Sequence, residues 1–230
     1  MPSDGGLFYY LVPDPDPVIE VRDHLMIEFD ASYQETAFLC RNAAARKHAL
    51  SRYIQSECLY VRKVTLSIVH NAEYHVVFTK KHINPMMNTL QGIFENITTI
   101  PALESLSLNY TNLTKLQPCG ELLARLFYNI VFLGIHTRLQ GIKKLSINLT
   151  SGYHHLPHLK AASSIIINML KQPKLYPSLK SVCFNVGVKD RDAAGDDFQY
   201  QVARVDLILR LCSLITERGI ANVTGDMIKL

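Results

Sequence analysis

Four segments of this chain follow one eight-residue template: apolar, two polar, apolar, small, apolar, small polar, apolar. They read Val61-Arg62-Lys63-Val64-Thr65-Leu66-Ser67-Ile68, Leu103-Glu104-Ser105-Leu106-Ser107-Leu108-Asn109-Tyr110, Ile142-Lys143-Lys144-Leu145-Ser146-Ile147-Asn148-Leu149 and Leu179-Lys180-Ser181-Val182-Cys183-Phe184-Asn185-Val186. Their starts lie 42, 39 and 37 residues apart, and two share the lead-in Pro101-x-Leu103-x-Ser105 and Pro177-x-Leu179-x-Ser181. Self-similarity at such a period means that one supersecondary unit is repeated along the chain. The alternation inside each segment is that of a half-buried strand. A fifth, degenerate strand is expected at Leu25-Met26-Ile27-Glu28-Phe29, 39 residues before Val64, and a closing element through Ile220 to Val223.

Between the strands the apolar period changes from two to helical. Leu122, Leu123, Leu126, Phe127, Ile130 and Val131 recur on one helical face, as do Ile165, Ile166, Met169 and Leu170. The expected boundaries use known stop and start chemistry. Asn84-Pro85 reads as an N-cap followed by proline at the first helical position, Gly141 and Gly219 as C-terminal stops, and Pro173 as another. Two further helices are expected over Thr36 to Gln55 and Phe198 to Arg218. The coarse order is strand, loop, helix, repeated.

Parallel strands with intervening helices form either a doubly wound sheet, covered on both faces, or a horseshoe with helices on one side. Strands covered on both faces read as continuous apolar runs. Here the alternate positions are Lys63/Thr65/Ser67, Ser105/Ser107/Asn109, Lys144/Ser146/Asn148 and Ser181/Cys183/Asn185. One face is therefore expected to be wet. The expectation is an α/β fold: a short right-handed solenoid of about five irregular strand–helix units over residues 21–230, strands on the concave face and helices on the convex face. Residues 1–20, punctuated by Pro13-Asp14-Pro15-Asp16-Pro17, read as an extended N-terminal arm that covers one end of the array.

The core Leu103-x-x-Leu106-x-Leu108 and Ile142-x-x-Leu145-x-Ile147 resembles the leucine-rich-repeat family, in its ribonuclease-inhibitor-like branch with a true helix per unit. The likeness covers roughly residues 60 to 190 and has two departures. Thr111 and Thr150 stand where the family usually places asparagine, and the units of 37 to 42 residues are longer than its usual repeat. The lead-in and the irregular units look most like the leucine-rich regions of eukaryotic F-box proteins. That resemblance implies a protein-binding module, and in the F-box version the substrate-recognition part of a ubiquitin-ligase receptor. No helical F-box is recognisable in Met1 to Gln55.

Chemistry-bearing motifs are sparse. His154-His155-x-x-His158 is interrupted by Leu156-Pro157 and has no cysteine or carboxylate within ten residues, so no metal site is expected. The acidic loop Asp190 to Asp197 does not follow the calcium-loop pattern. Ser151-Gly152 and Val186-Gly187 lack the glycine spacing of a phosphate loop. Cys183 has no histidine at an equivalent position on a neighbouring strand to make it a nucleophile. No catalytic residue and no cofactor are expected, and the chain reads as a non-enzyme.

Composition narrows the remaining classes. At 48% hydrophobic over 230 residues the chain can bury a substantial core, yet no stretch approaches the length of a membrane span. Net charge is +4, with Lys80-Lys81 and Lys143-Lys144 the notable basic pairs, which is too little for a nucleic-acid footprint. Five widely spaced cysteines and no basic, apolar leader point to cytoplasm or nucleus. The N-x-T sequons at Asn96, Asn109, Asn112, Asn148 and Asn222 are accordingly read as accidental.

The expected function is binding of a protein partner through the concave positions Lys63, Thr65, Ser67, Ser105, Ser107, Asn109, Thr111, Lys144, Ser146, Asn148, Ser181 and Asn185, with Tyr110, Tyr153 and Tyr176 as anchors at the rim. Two rivals stand beside it. One is an α/β enzyme with its site at the strand ends near His70, Asn112, Thr150 and Gly187; the other is a structural subunit of a larger assembly.

Overall fold

A computed structural model of the chain describes residues 3–4, 7–12, 23–30, 43–70, 80–112, 141–151, 167–168, 171–172, 174–188 and 222–223, together with nine positions from 202 to 217 and Gly219. The helical pattern from Leu122 to Val131, the His154–His158 cluster and the loop 190–197 lie outside the described residues.

Among the described residues eight strands form one sheet in which spatial order equals chain order: β1 (Ser3–Asp4), β2 (Leu7–Val12), β3 (His24–Asp30), β4 (Lys63–His70), β5 (Ser105–Asn112), β6 (Lys144–Ser151), β7 (Ser181–Val188) and β8 (Asn222–Val223). β3 to β8 are parallel, and β1 and β2 run antiparallel at the N-terminal edge. The template sets the register. Val64, Leu106, Leu145 and Val182 lie side by side, as do Leu66, Leu108, Ile147 and Phe184. The degenerate strand joins them in the expected alignment, Leu25 beside Val64 and Ile27 beside Leu66.

Strand entry repeats a backbone device that no sequence pattern announces. Arg62 N and Lys63 N both donate to Asp23 O (2.8 and 3.0 Å), Glu104 N and Ser105 N to Arg62 O (2.9 Å each), Lys143 N and Lys144 N to Glu104 O (2.8 and 3.1 Å), and Lys180 N and Ser181 N to Lys143 O (2.8 and 3.0 Å). Two amides converging on one carbonyl fix each strand's start against the unit before it. The residues at that point therefore stack at one level across the sheet.

One sheet face carries the core. Leu25, Ile27, Phe29, Val64, Leu66, Ile68, Leu106, Leu108, Tyr110, Leu145, Ile147 and Val182 are buried, as are the template's first residues Val61, Leu103, Ile142 and Leu179. Helix α1 (Ala43–Glu57) begins in alanines and presents Leu50 and Ile54 to the interior at i, i+4 spacing, followed by buried Cys58. Tyr53 of α1 meets Tyr9 of β2 with ring centroids 5.0 Å apart, which sets α1 against the apolar face. Helix α2 (Lys80–Ile97) buries Leu90, Ile93, Phe94 and Ile97. The two helices are tied side by side, Asn96 Nδ2 donating to Lys47 O at 3.3 Å and Lys47 pairing with Glu95. At the end of α2, Thr98 Oγ1 donates to Glu95 O (2.6 Å), a carbonyl of the last turn, and Thr99 Oγ1 joins its own N–H on Asn96 O (2.7 and 3.0 Å).

Three expectations are corrected. The helix expected to begin at Asn84-Pro85 begins at Lys80, so Pro85 sits in its second turn, where its missing N–H removes a single intrahelical bond. Tyr110 and Tyr176 are not at a rim. Tyr110 lies in the apolar row of β5, and Tyr176 is wholly enclosed, its backbone in the left-handed region at φ 51°. Residues 7–12, within the segment read as an arm, form a strand along β3, with Leu7 and Tyr9 buried beside Phe29 and Ile27. Gly219 ends its helical segment as expected, at φ 68° with its N–H bonded to Thr216 O at 3.0 Å. Tyr153 lies outside the described residues.

Candidate interaction face

Because side chains alternate along a strand, fixing Leu66 and its neighbours inward fixes Thr65 and Ser67 outward. All twelve positions singled out from the sequence stand on that opposite face. They form rows across the strands: Lys63, Ser105, Lys144 and Ser181; Thr65, Ser107 and Ser146, completed by Cys183; Ser67, Asn109, Asn148 and Asn185; and Thr111 beside Thr150. Lys63 and Lys144 are exposed and the others half-buried by one another.

The third row is hydrogen-bonded end to end. Asn185 Nδ2 donates to Asn148 Oδ1 at 2.6 Å, Asn148 Nδ2 to Asn109 Oδ1 at 2.7 Å and Asn109 Nδ2 to Ser67 Oγ at 3.2 Å. Second contacts run down the strands, from Asn148 Nδ2 to Ser146 Oγ (3.4 Å) and from Asn185 Nδ2 to Cys183 Sγ (3.5 Å). A carboxamide has two donors and two acceptor lone pairs. The ladder uses both donors of Asn148 and one acceptor position on each of Asn109 Oδ1 and Asn148 Oδ1.

The same rows continue onto β3 and β2 with residues absent from the sequence-based set. His24, Met26 and Glu28 of β3 and Phe8 and Tyr10 of β2 occupy the open face. Tyr10 Oη donates to Glu28 Oε1 at 3.0 Å, and this bond raises the Tyr10 pKa above its usual value. His24 Nε2 lies 2.9 Å from Thr65 Oγ1; partial burial, then the charge of Lys63, hold the imidazole below its usual pKa, against Asp23. The signal for His24, Met26 and Glu28 was present in the alternation with Leu25, Ile27 and Phe29. For Phe8 and Tyr10 it was hidden, because Leu7 to Val12 is apolar throughout.

Of the strand-end positions considered for catalysis, His70 and Asn112 share the last row and Thr150 and Gly187 the row before it. Among the described residues no group of three His, Cys, Asp or Glu side chains is placed to hold a metal ion. Asn96, one of the sequon asparagines, is buried with its amide also bonded to Gly92 O at 2.9 Å, a position closed to glycosylation. No described helix is long and apolar enough to cross a membrane. No protein-family model, curated protein or solved structure matches the chain.

Proposed function

We propose that this chain is a short right-handed leucine-rich solenoid that binds another protein on its open sheet face. Strand order supports the architecture: β3 to β8 lie side by side in chain order and run parallel, and right-handed crossovers, the general rule for such connections, would put the connecting segments on one side of the sheet. In this reading helices about 10 Å across, packed like α1 and α2 behind strands about 4.8 Å apart, would bend the sheet with its open face inward. The particular protein this reading selects is the substrate-recognition part of an F-box-type ubiquitin-ligase receptor.

The observation that carries the binding reading is the composition of the aligned rows. Solubility alone asks an open face to be polar, and long charged side chains would meet that demand. Here, on β4 to β7, long charged side chains are confined to the entry row, at Lys63 and Lys144, and the next two rows carry Ser, Thr, Asn and Cys over a width of four strands, so a partner can approach the sheet backbone closely there. Phe8, Tyr10 and Met26 at one end add side-chain types that are enriched at interfaces.

The test is affinity purification of the tagged chain from its native cells beside a Ser107→Arg/Asn148→Arg variant whose circular dichroism matches the parent. A partner lost only in the variant supports the face, and a cullin-ligase adaptor among the retained proteins supports the F-box version. A variant that keeps every specific partner refutes binding at this face.

A further inference from the structure

The four-residue turn from α1 into β4 is closed by Val61 N donating to Cys58 O at 3.2 Å, which leaves Leu59 and Tyr60 at its tip. They are 54% and 80% exposed. Such tips favour Gly, Pro, Asn, Asp or Ser, which stabilise the bend and stay hydrated. The equivalent turn before β7, closed by Leu179 N to Tyr176 O at 3.1 Å, follows that rule with Pro177 and Ser178. Nothing in the turn geometry requires two large apolar side chains, and neither is used by the core.

The chain runs from that tip directly into the entry level of the sheet. The paired amide bonds hold Asp23, Arg62, Glu104, Lys143 and Lys180 in one stack, with His24, Lys63, Ser105, Lys144 and Ser181 next to it. Lys63 pairs with Asp23 (3.7 Å) and Lys143 with Glu104 (2.8 Å). Arg62, Lys144 and Lys180 are exposed and make no ion pair among the described residues. From β4 to β7 the row spans three strand spacings, about 14 Å, the reach of an extended segment of about four or five residues.

We propose that this strand-entry edge is a docking site for an acidic segment of a protein partner, its carboxylates meeting Arg62, Lys144 and Lys180 and an apolar side chain seated on Leu59 and Tyr60. The proposal rests on the reading that the chain binds a protein, and adds the chemistry of the bound segment and a place beside the open face. The Glu104 carboxylate, within electrostatic reach of Arg62 and Lys144, is already paired with Lys143. Three cations with no ion pair among the described residues, over so short a row, fit a few carboxylates better than a nucleic-acid backbone, whose affinity grows with the number of phosphates neutralised. Tyrosine and arginine at the two parts of the site are side chains that dominate interface energetics.

The probe is a fluorescein-labelled peptide of alternating Glu and Asp with one central Leu, titrated with the whole chain by fluorescence anisotropy at increasing NaCl. Binding that weakens with salt is expected. Arg62→Glu/Lys144→Glu should weaken it at least about tenfold. Leu59→Ser/Tyr60→Ser should weaken the Leu probe by about tenfold and the same peptide with Gly in its place much less. Ser107→Arg/Asn148→Arg should not weaken it. Unchanged urea midpoints for the edge variants keep folding out of the comparison. No binding, equal binding of a Lys-rich control, tighter binding of single-stranded DNA of equal charge, or full affinity in either edge variant overturns the edge site. None of these results touches the open-face reading, which its own variant decides.

Discussion

Asn148 donates to Asn109 and accepts from Asn185, so its carboxamide is held from both sides on a face open to water. Each such bond replaces a bond to water, and its net worth is about 1 kcal/mol. Asn148→Ala removes both links at once and should lower the urea-derived stability by about 1–2 kcal/mol, whereas Ser105→Ala in the first row should change it by less than about 0.5 kcal/mol. His24 offers a second test. Burial and Lys63 favour its neutral form, so its folded pKa lies below the unfolded value near 6.5. The stability it contributes is complete above pH of about 6.5 and is lost as pH falls through the lower folded value. An NMR titration of the His24 ring should show a midpoint below 6.5, and Lys63→Met should raise it. A midpoint above 6.5 contradicts this account.

Among the elements, the two helices show which contacts matter. Leu50 of α1 is 1% exposed, and Leu50→Ala should cost about 2–5 kcal/mol through lost burial and a residual cavity. The Lys47–Glu95 pair between α1 and α2 is largely solvated, so Lys47→Ala should cost less than about 1 kcal/mol. Chemical denaturation of the two variants separates a core contact from a surface tie. Helix ends were less legible than strands: the start of α2 was placed at Asn84-Pro85 because proline is favoured at a first helical position, and the helix extends one turn further. Tyr176 shows the same limit: its place near a strand end predicts a rim position, but beside the turn closed by Leu179 N and Tyr176 O its ring is wholly buried.

For the molecule as a whole, the N-terminal hairpin is the exposed decision point. β2 pairs with β3 from His24 to Phe29, and without it β3 would offer an unpaired strand edge. Deleting residues 1–12 should produce concentration-dependent association in sedimentation velocity, and a variant that stays monomeric would show that β3 does not need this cover. Much of the sheet was determined by the sequence itself. Spacings of 42, 39 and 37 residues reappear as the residue offsets across the asparagine ladder, and a period of two placed the polar template residues of four strands on the face opposite the core. Local periodicity sufficed there because burial acts on each strand separately. Only the tertiary structure decided the antiparallel hairpin, the hydrogen-bonded ladder, the stacked charges at strand entry and the exposed Leu59–Tyr60 tip. Each of those depends on which strand lies beside which or on what a neighbour leaves uncovered, and such relations join residues too far apart in the chain for periodicity to report.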